Sequence, residues 1–322
     1  MKNFRKIIAF ILSAIMTLSF ASCSDSSLKV GIIQIAPHAS LDNCYEGIVE
    51  GLKQAGYENG KNITIDYQNA NGETATSNLM AKKMVSSKYD IIIGIATPAA
   101  MSAYSATRNT DIPVVFSAVS DPVTIQIVKS LEKPEYNCTG TTDVLNLEAQ
   151  MEMIRTFLPN AKKIGVLYTT SEQNSVTHLN KFKSIAPDYG FEIVAVGVTN
   201  ATEVATAAKT LVSKGIDCIN NFTDNNVVNN LSSVLNAANT ANIPVFGSEV
   251  EQVKNGCIAA EGLDYVHLGR ETGMMAAKIL EGDAKAGEMA ESNPVYNNDV
   301  LKEFGLTLPD AYKTAEVVTS NK

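Results

Sequence analysis

Tryptophan is absent from this 322-residue chain, histidine occurs only at His38, His178 and His267, and none of the five cysteines stands in C-x-x-C spacing. So few soft donors, so far apart, leave almost no material for a zinc centre, and no metal site is expected. Glycines never stand two apart, so no G-x-G dinucleotide fingerprint exists, and no G-x-x-x-x-G is followed by lysine to make a P-loop. G-x-S-x-G and H-E-x-x-H are missing too. Neither an enzyme nor a cofactor is nominated. Bases are scarce as well: 26 Lys and Arg face 34 Asp and Glu, for a net charge of −8. The first 22 residues carry three of those bases and no acid, so without them the net charge is −11. Phosphate neutralisation needs basic density, so nucleic acid is not an expected partner.

What the chain does have begins at its N-terminus. Lys2, Arg5 and Lys6 precede a 14-residue apolar run, Ile7 to Phe20, too short to span a bilayer comfortably and suited to a secretory signal. The run ends in Leu18-Ser19-Phe20-Ala21-Ser22-Cys23, which resembles a bacterial lipobox, with Phe20 departing from the usual leucine. The expectation is a lipoprotein signal over 1–22, diacylation at Cys23 and a Ser-rich tether over 23–27. Two or three acyl chains anchor stably where one does not. The chain is then expected on the extracytoplasmic face of the cell membrane, held by lipid alone. The remaining cysteines, Cys44, Cys138, Cys218 and Cys257, suit buried free thiols.

From residue 28 onward short apolar runs alternate with amphipathic segments of 12–18 residues. Strands are expected at 29–34, 62–67, 91–96, 114–118, 163–168, 191–196, 217–221, 244–247 and 256–260. Helices are expected near 42–55, 74–86, 98–107, 145–157, 172–186, 202–214, 226–240 and 264–281. That alternation predicts an α/β fold with doubly wound parallel sheets. The pattern also occurs twice. Tyr89-Asp90-Ile91-Ile92-Ile93 is echoed by Ile216-Asp217-Cys218-Ile219-Asn220, and Ile112-Pro113-Val114 by Ile243-Pro244-Val245. Val30-Gly31-Ile32-Ile33 is echoed by Ile164-Gly165-Val166-Leu167, and Gly56-Tyr57 by Gly190-Phe191. Two similar lobes joined by a hinge are expected: 28–142 plus about 261–290, and 143–260 plus about 291–322. Gly269-x-x-x-Gly273 reads as close helix packing, because Arg270 and Glu271 between them rule out a membrane motif.

Ligands of open α/β sheets bind beyond the carboxyl ends of the strands. Counting from the repeated Asp-x and Ile-Pro positions places Thr97 and Ser117 at strand ends of one lobe, and Asp224 at the corresponding end of the other. Hydroxyls facing a carboxylate suit a zwitterion. Thr97, like Asp121, also reads as a helix cap beside a proline. Glu249 and Asp264 are rival partners for an ammonium group. Gln34 and His38 lie at the first strand–helix loop, Asn174 in the matching loop of the second lobe, and Thr141 at the first crossover.

Export, duplicated lobes and a cleft resemble the type I periplasmic-binding proteins of ABC importers. More narrowly, Gly47-Ile48-Val49-Glu50-Gly51-Leu52, Gly60-Lys61-Asn62-Ile63-Thr64-Ile65-Asp66-Tyr67, Ile95-Ala96-Thr97-Pro98-Ala99-Ala100 and Phe116-Ser117-Ala118-Val119-Ser120-Asp121-Pro122 resemble the family of tryptophan and tyrosine importer binding proteins. The resemblance runs over nearly all of 28–310. It implies a monomeric solute receptor that closes on an aromatic amino acid and meets an ABC permease and its ATPase. Three rivals share features with that reading. A ligand-sensing receptor domain uncoupled from transport has the same lobes. A transcription regulator built on them is opposed by the export signal, and an extracellular enzyme by the missing catalytic motifs.

Overall fold

The computed structural model describes residues 27–131, 133, 137–282 and 292–321, so the lipobox expectation lies outside the described residues. The first lobe is a five-stranded parallel sheet of order β2-β1-β3-β4-β5. Its strands are β1 (Leu28–Gln34), β2 (Ile63–Asn69), β3 (Ile91–Ile95), β4 (Val114–Ser117) and β5 (Cys138–Gly140). Ile91, Ile92 and Ile93 are fully buried, as a central strand covered on both faces requires. Helices α1 (Ala39–Gln54), α2 (Thr74–Ser86) and α3 (Thr97–Thr107) connect the first four strands. Helices α2 and α3 share one face of the sheet.

The second lobe repeats the plan with α4 (Leu147–Phe157), β6 (Lys163–Thr169), α5 (Gln173–Ile185), β7 (Glu192–Val198), α6 (Val204–Val212) and β8 (Cys218–Asn220). Next come α7 (Asn225–Asn229), α8 (Leu231–Thr240), β9 (Val245–Phe246) and α9 (Val250–Lys254). Its sheet order is β7-β6-β8-β9, all parallel. A single bridge from Gly247 to Ala260 joins it to a small sheet of β10 (Ala259–Leu263), β11 (Ser292–Asn297) and β12 (Glu316–Val318). There β10 and β11 run antiparallel, a departure from the all-parallel expectation. The tail packs on this lobe: Tyr312 stacks edge-on against Phe157 at 4.9 Å, and the Asn321 amide donates to the Lys254 carbonyl.

The duplication extends to individual bonds. Asp90 accepts from the Lys29 amide at 2.7 Å, and its counterpart Asp217 accepts from the Lys162 and Lys163 amides at 2.7 and 2.8 Å. Each carboxylate ties the entry of its strand to the neighbouring strand.

The chain then returns to the first lobe as α10 (Tyr265–Leu280), which lies on α1 across the face opposite α2 and α3. The expected close packing at Gly269 and Gly273 is met by Gly47 and Gly51 from α1. A Cβ at Gly47 would stand 2.2 Å from the Val266 carbonyl oxygen, and one at Gly269 would stand 2.1 Å from that of Cys44. Only glycine lets these backbones touch. The four described cysteines are free and buried. Among the described residues no helix is long and apolar enough to cross a membrane.

Candidate functional site

The carboxyl ends of both parallel sheets face a cleft, where a nearly filled pocket of about 10 Å³ is lined from both lobes. The first lobe contributes His38, Leu41, Ala96, Thr97, Ala118 and Ser120, and the second Asn174, Thr223, Asn225 and Glu249. Asp143, between β5 and α4, and Tyr265, at the start of α10, complete it. No lysine or arginine lines it.

Two sharp backbone turns bring the first lobe to the cavity. Ala96 leaves β3 with φ +72° and ψ +159°, a conformation that costs any residue but glycine about 1–3 kcal/mol, and Ala118 leaves β4 with φ +56°. Both line the cavity. The turn at Ala96 starts α3 at Thr97 with Pro98 next, so the free N–H groups of that helix end sit at the cleft.

The carboxylates supply the opposite sign. Asp143 is 3% exposed and accepts from the Ser120 and Tyr265 hydroxyls, each at 2.9 Å. Burial lifts its pKa to about 6 against the pull of those bonds. Glu249 is 1% exposed, its Oε1 has no hydrogen-bond partner in the protein, and burial lifts it to about 7, with Asp143 adding to the rise. His38 caps α1 without a side-chain capping bond and reaches Asn225 Oδ1 across the cleft at 3.4 Å. Burial drives its pKa down to about 4, so its ring is neutral. Orphan polar atoms collect here: His38 Nδ1, Asn174 Oδ1, Thr223 Oγ1 and Glu249 Oε1 all lack a partner in the protein. Buried polar atoms are rarely left so, and a ligand is one way to satisfy them.

Four of the predicted residues, His38, Thr97, Asn174 and Glu249, therefore come together. Five do not line the cavity, each for a visible reason. Gln34 donates to the Ala36 carbonyl and to Asp42 Oδ1, fixing the first loop from below. Ser117 and Thr141 are tied into a buried knot with Thr272 and Cys44: Thr272 Oγ1 lies 2.7 Å from each hydroxyl, and Cys44 Sγ lies 2.9 Å from Ser117 Oγ. Asp264 is exposed and accepts from the Val266 and His267 amides, capping α10.

Asp224 stays out of the pocket wall because its oxygens are taken up by the protein. It accepts from the Thr169 amide at 2.5 Å, Thr169 Oγ1 at 2.8 Å, Ser175 Oγ at 2.5 Å and the Val227 amide at 3.0 Å. It caps α7 and leaves the cavity wall to its neighbour Asn225. Glu172, buried behind that wall, receives the Asn225 and Asn226 amides and Asn225 Nδ2. Burial and then the nearby Asp224 push it up.

Sequence reasoning missed Asp143 and Tyr265. The three-residue β5 gives no periodic signal from which to count to Asp143, and Tyr265 sits one place beyond the capping aspartate. A larger interlobe hollow of about 260 Å³ lies between 71–75 and 199–201. None of the buried partnerless atoms belongs to its lining.

The sequence matches the ABC transporter substrate binding protein family over residues 29–318. It is 39% identical over 287 residues to a Clostridioides difficile (strain R20291) protein named Tyrosine-binding protein, covering 88% of this chain and 82% of that one. A Streptococcus pneumonia ABC domain in complex with L-Trp superposes with a TM-score of 0.86 at 33% identity, covering 91% of this chain and 100% of that one. A ligand-free, open Clostridium difficile substrate binding protein has a TM-score of 0.67 at 37% identity, with the same coverage. The open structure fits worse despite its higher identity, so the lobes here are not in the open arrangement. By family, then, and by a fold like that of the type I periplasmic-binding proteins, this chain belongs to the ABC transporter substrate-binding proteins.

Proposed function

We propose that the chain receives an aromatic amino acid in the interlobe cavity, on the extracytoplasmic side of the membrane, and hands it to an ABC permease driven by its ATPase. The observation that carries this reading is the pairing, in one cavity, of a helix amino end at Thr97 with the buried carboxylates Asp143 and Glu249. The first suits a carboxylate group and the second an ammonium group, so a free amino acid matches both ends. The tyrosine and tryptophan in the names of the two relatives support an aromatic side chain, which would lie among Leu41, His38 and Tyr265.

Asp143 and Glu249 hold the ammonium group, Thr97 and the α3 N–H groups the carboxylate, and Asn174 and Asn225 close the cavity from the second lobe. Closure shifts toward the form in which both lobes touch the ligand. The lobes are 28–142 with about 261–290, and 143–260 with about 291–322, hinged at the three crossovers. Diacylated Cys23 anchors the monomer. A thermal-shift screen against amino acids, nucleosides and sugars tests the reading. Ligand at a hundred times Kd adds about 2.7 kcal/mol of stability. A selective shift with tyrosine or tryptophan is expected, and a shift with a sugar or nucleoside alone contradicts it.

A further inference from the structure

The two carboxylates of the cavity come from different places in the fold: Asp143 lies in the crossover after β5, held by Ser120 and Tyr265 of the first lobe, and Glu249 caps α9 in the second. Tyr265 from α10 stands between them, hydrogen-bonded to Asp143 and within electrostatic reach of both. In the arrangement described, both carboxylates are at most 3% exposed. The other titratable groups facing them do not offset their charge. His38 is neutral, Cys44 from α1 and Cys257 beside β10 are buried thiols held protonated by burial, and Asp42 adds a further acid beside His38. Two cations on the elements packed here have acidic partners of their own: Lys254 on α9 pairs with Glu251 at 2.9 Å and Arg270 on α10 with Glu50 at 3.0 Å.

Burying two like charges without a counter-charge is strongly unfavourable, and the charged form responds by taking up protons. We propose that Asp143 and Glu249 form an electrostatic gate on closure: the lobes shut when a cationic group of the ligand, or protons in its place, neutralises the pair, and otherwise stay apart. The inference rests on the reading of the cavity as the ligand site. It goes further in making the pair determine which solutes close the protein, so that an uncharged analogue of the right shape fills the cavity without shutting it.

The sign follows from the raised values. In the closed form burial holds the carboxyl groups at about 6 and about 7, above the ordinary carboxylate range. With opening taken to return both carboxyl groups to water, closed protein binds more protons than open protein between roughly pH 4 and pH 7, and lowering the pH favours closure without ligand.

The test is a distance measurement between the lobes of the full chain, with spin labels at Lys82→Cys and Lys209→Cys and with Cys23→Ser, so that apart from the four buried cysteines only the labelled positions carry thiols. Without ligand, the closed population is expected to rise at least about tenfold from about pH 8 to about pH 5. Glu249→Gln combined with Asp143→Asn is expected to close at pH 8 without ligand. A distribution that responds to neither pH nor the double substitution overturns the gate, and the pH arm stands even where the variant folds poorly. L-tyrosine added at pH 8 separates the two readings. A pH response without a tyrosine response keeps the gate and rejects the aromatic amino acid, and the reverse rejects the gate alone.

Discussion

At the scale of single residues, Asp224 and Glu249 differ by what surrounds them. Four donors converge on Asp224, whereas Glu249 keeps an oxygen without a protein partner. Hydrogen bonds to charged groups contribute about 1.5–3 kcal/mol each, with large losses when donors are left facing the wrong group. Asp224→Asn is therefore expected to lower unfolding stability by about 2–4 kcal/mol in urea titrations while leaving the affinity of the folded fraction within about tenfold. A hundredfold loss of affinity at unchanged stability would return Asp224 to the ligand. Counting along the repeat leads to Asp224, whereas Asn225 next to it lines the pocket, because period and spacing do not say which of two neighbours spends its side chain on a cap. His178 shows the same principle with pH. Its ring is buried beside Phe222 at 5.7 Å with Nδ1 partnerless, and burial lowers its pKa to about 4. The unfolded chain, at about 6.5, binds the proton first. Stability from this residue is full above about pH 6.5 and is lost as pH falls toward 4. Equilibrium unfolding across that window is expected to show a decline that His178→Phe reduces; an unchanged decline assigns it to other groups.

At the scale of elements, the strand and helix pattern was largely legible, because central parallel strands are continuous apolar runs and glycine, proline and aspartate punctuate them. Thr97–Thr107 and Thr74–Ser86 lie within a residue of the expected spans. The strands not read, β5, β11 and β12, are short or sit outside the repeat, and their pairing is imposed by the neighbours they meet; the short helices Val250–Lys254 and Asn298–Glu303 were not read either. The α1–α10 crossing was half legible: the α10 glycines announced close packing, and only the fold supplied Gly47 and Gly51 as partners. Gly269→Ala forces a methyl group into the Cys44 carbonyl, which requires the two helices to separate. A loss of about 1–3 kcal/mol or more is expected, visible as a lower Tm, because overpacked contacts of this kind relax only through backbone movement. A Tm equal to that of the unsubstituted chain contradicts the backbone contact.

At the scale of the whole molecule, polar contacts cross between the lobes, among them His38 with Asn225, and Asn43 Nδ2 donating to Glu251 Oε1 at 3.1 Å. Asn43→Ala removes a cross-lobe bond at the cleft rim and is expected to weaken ligand binding about threefold to tenfold, mostly through a faster off-rate in stopped flow. An unchanged off-rate would place that bond outside the closing step.

The most direct test of the central claim is calorimetric titration of the protein with L-tyrosine and L-tryptophan, each beside its analogue lacking the amino group. Removing the ammonium leaves Asp143 and Glu249 without a counter-charge, so the account predicts binding of at least one amino acid and a loss of a hundredfold or more for its analogue. Equal affinity for the two members of a pair would contradict the account, because the carboxylates would then have no part in recognising the ligand.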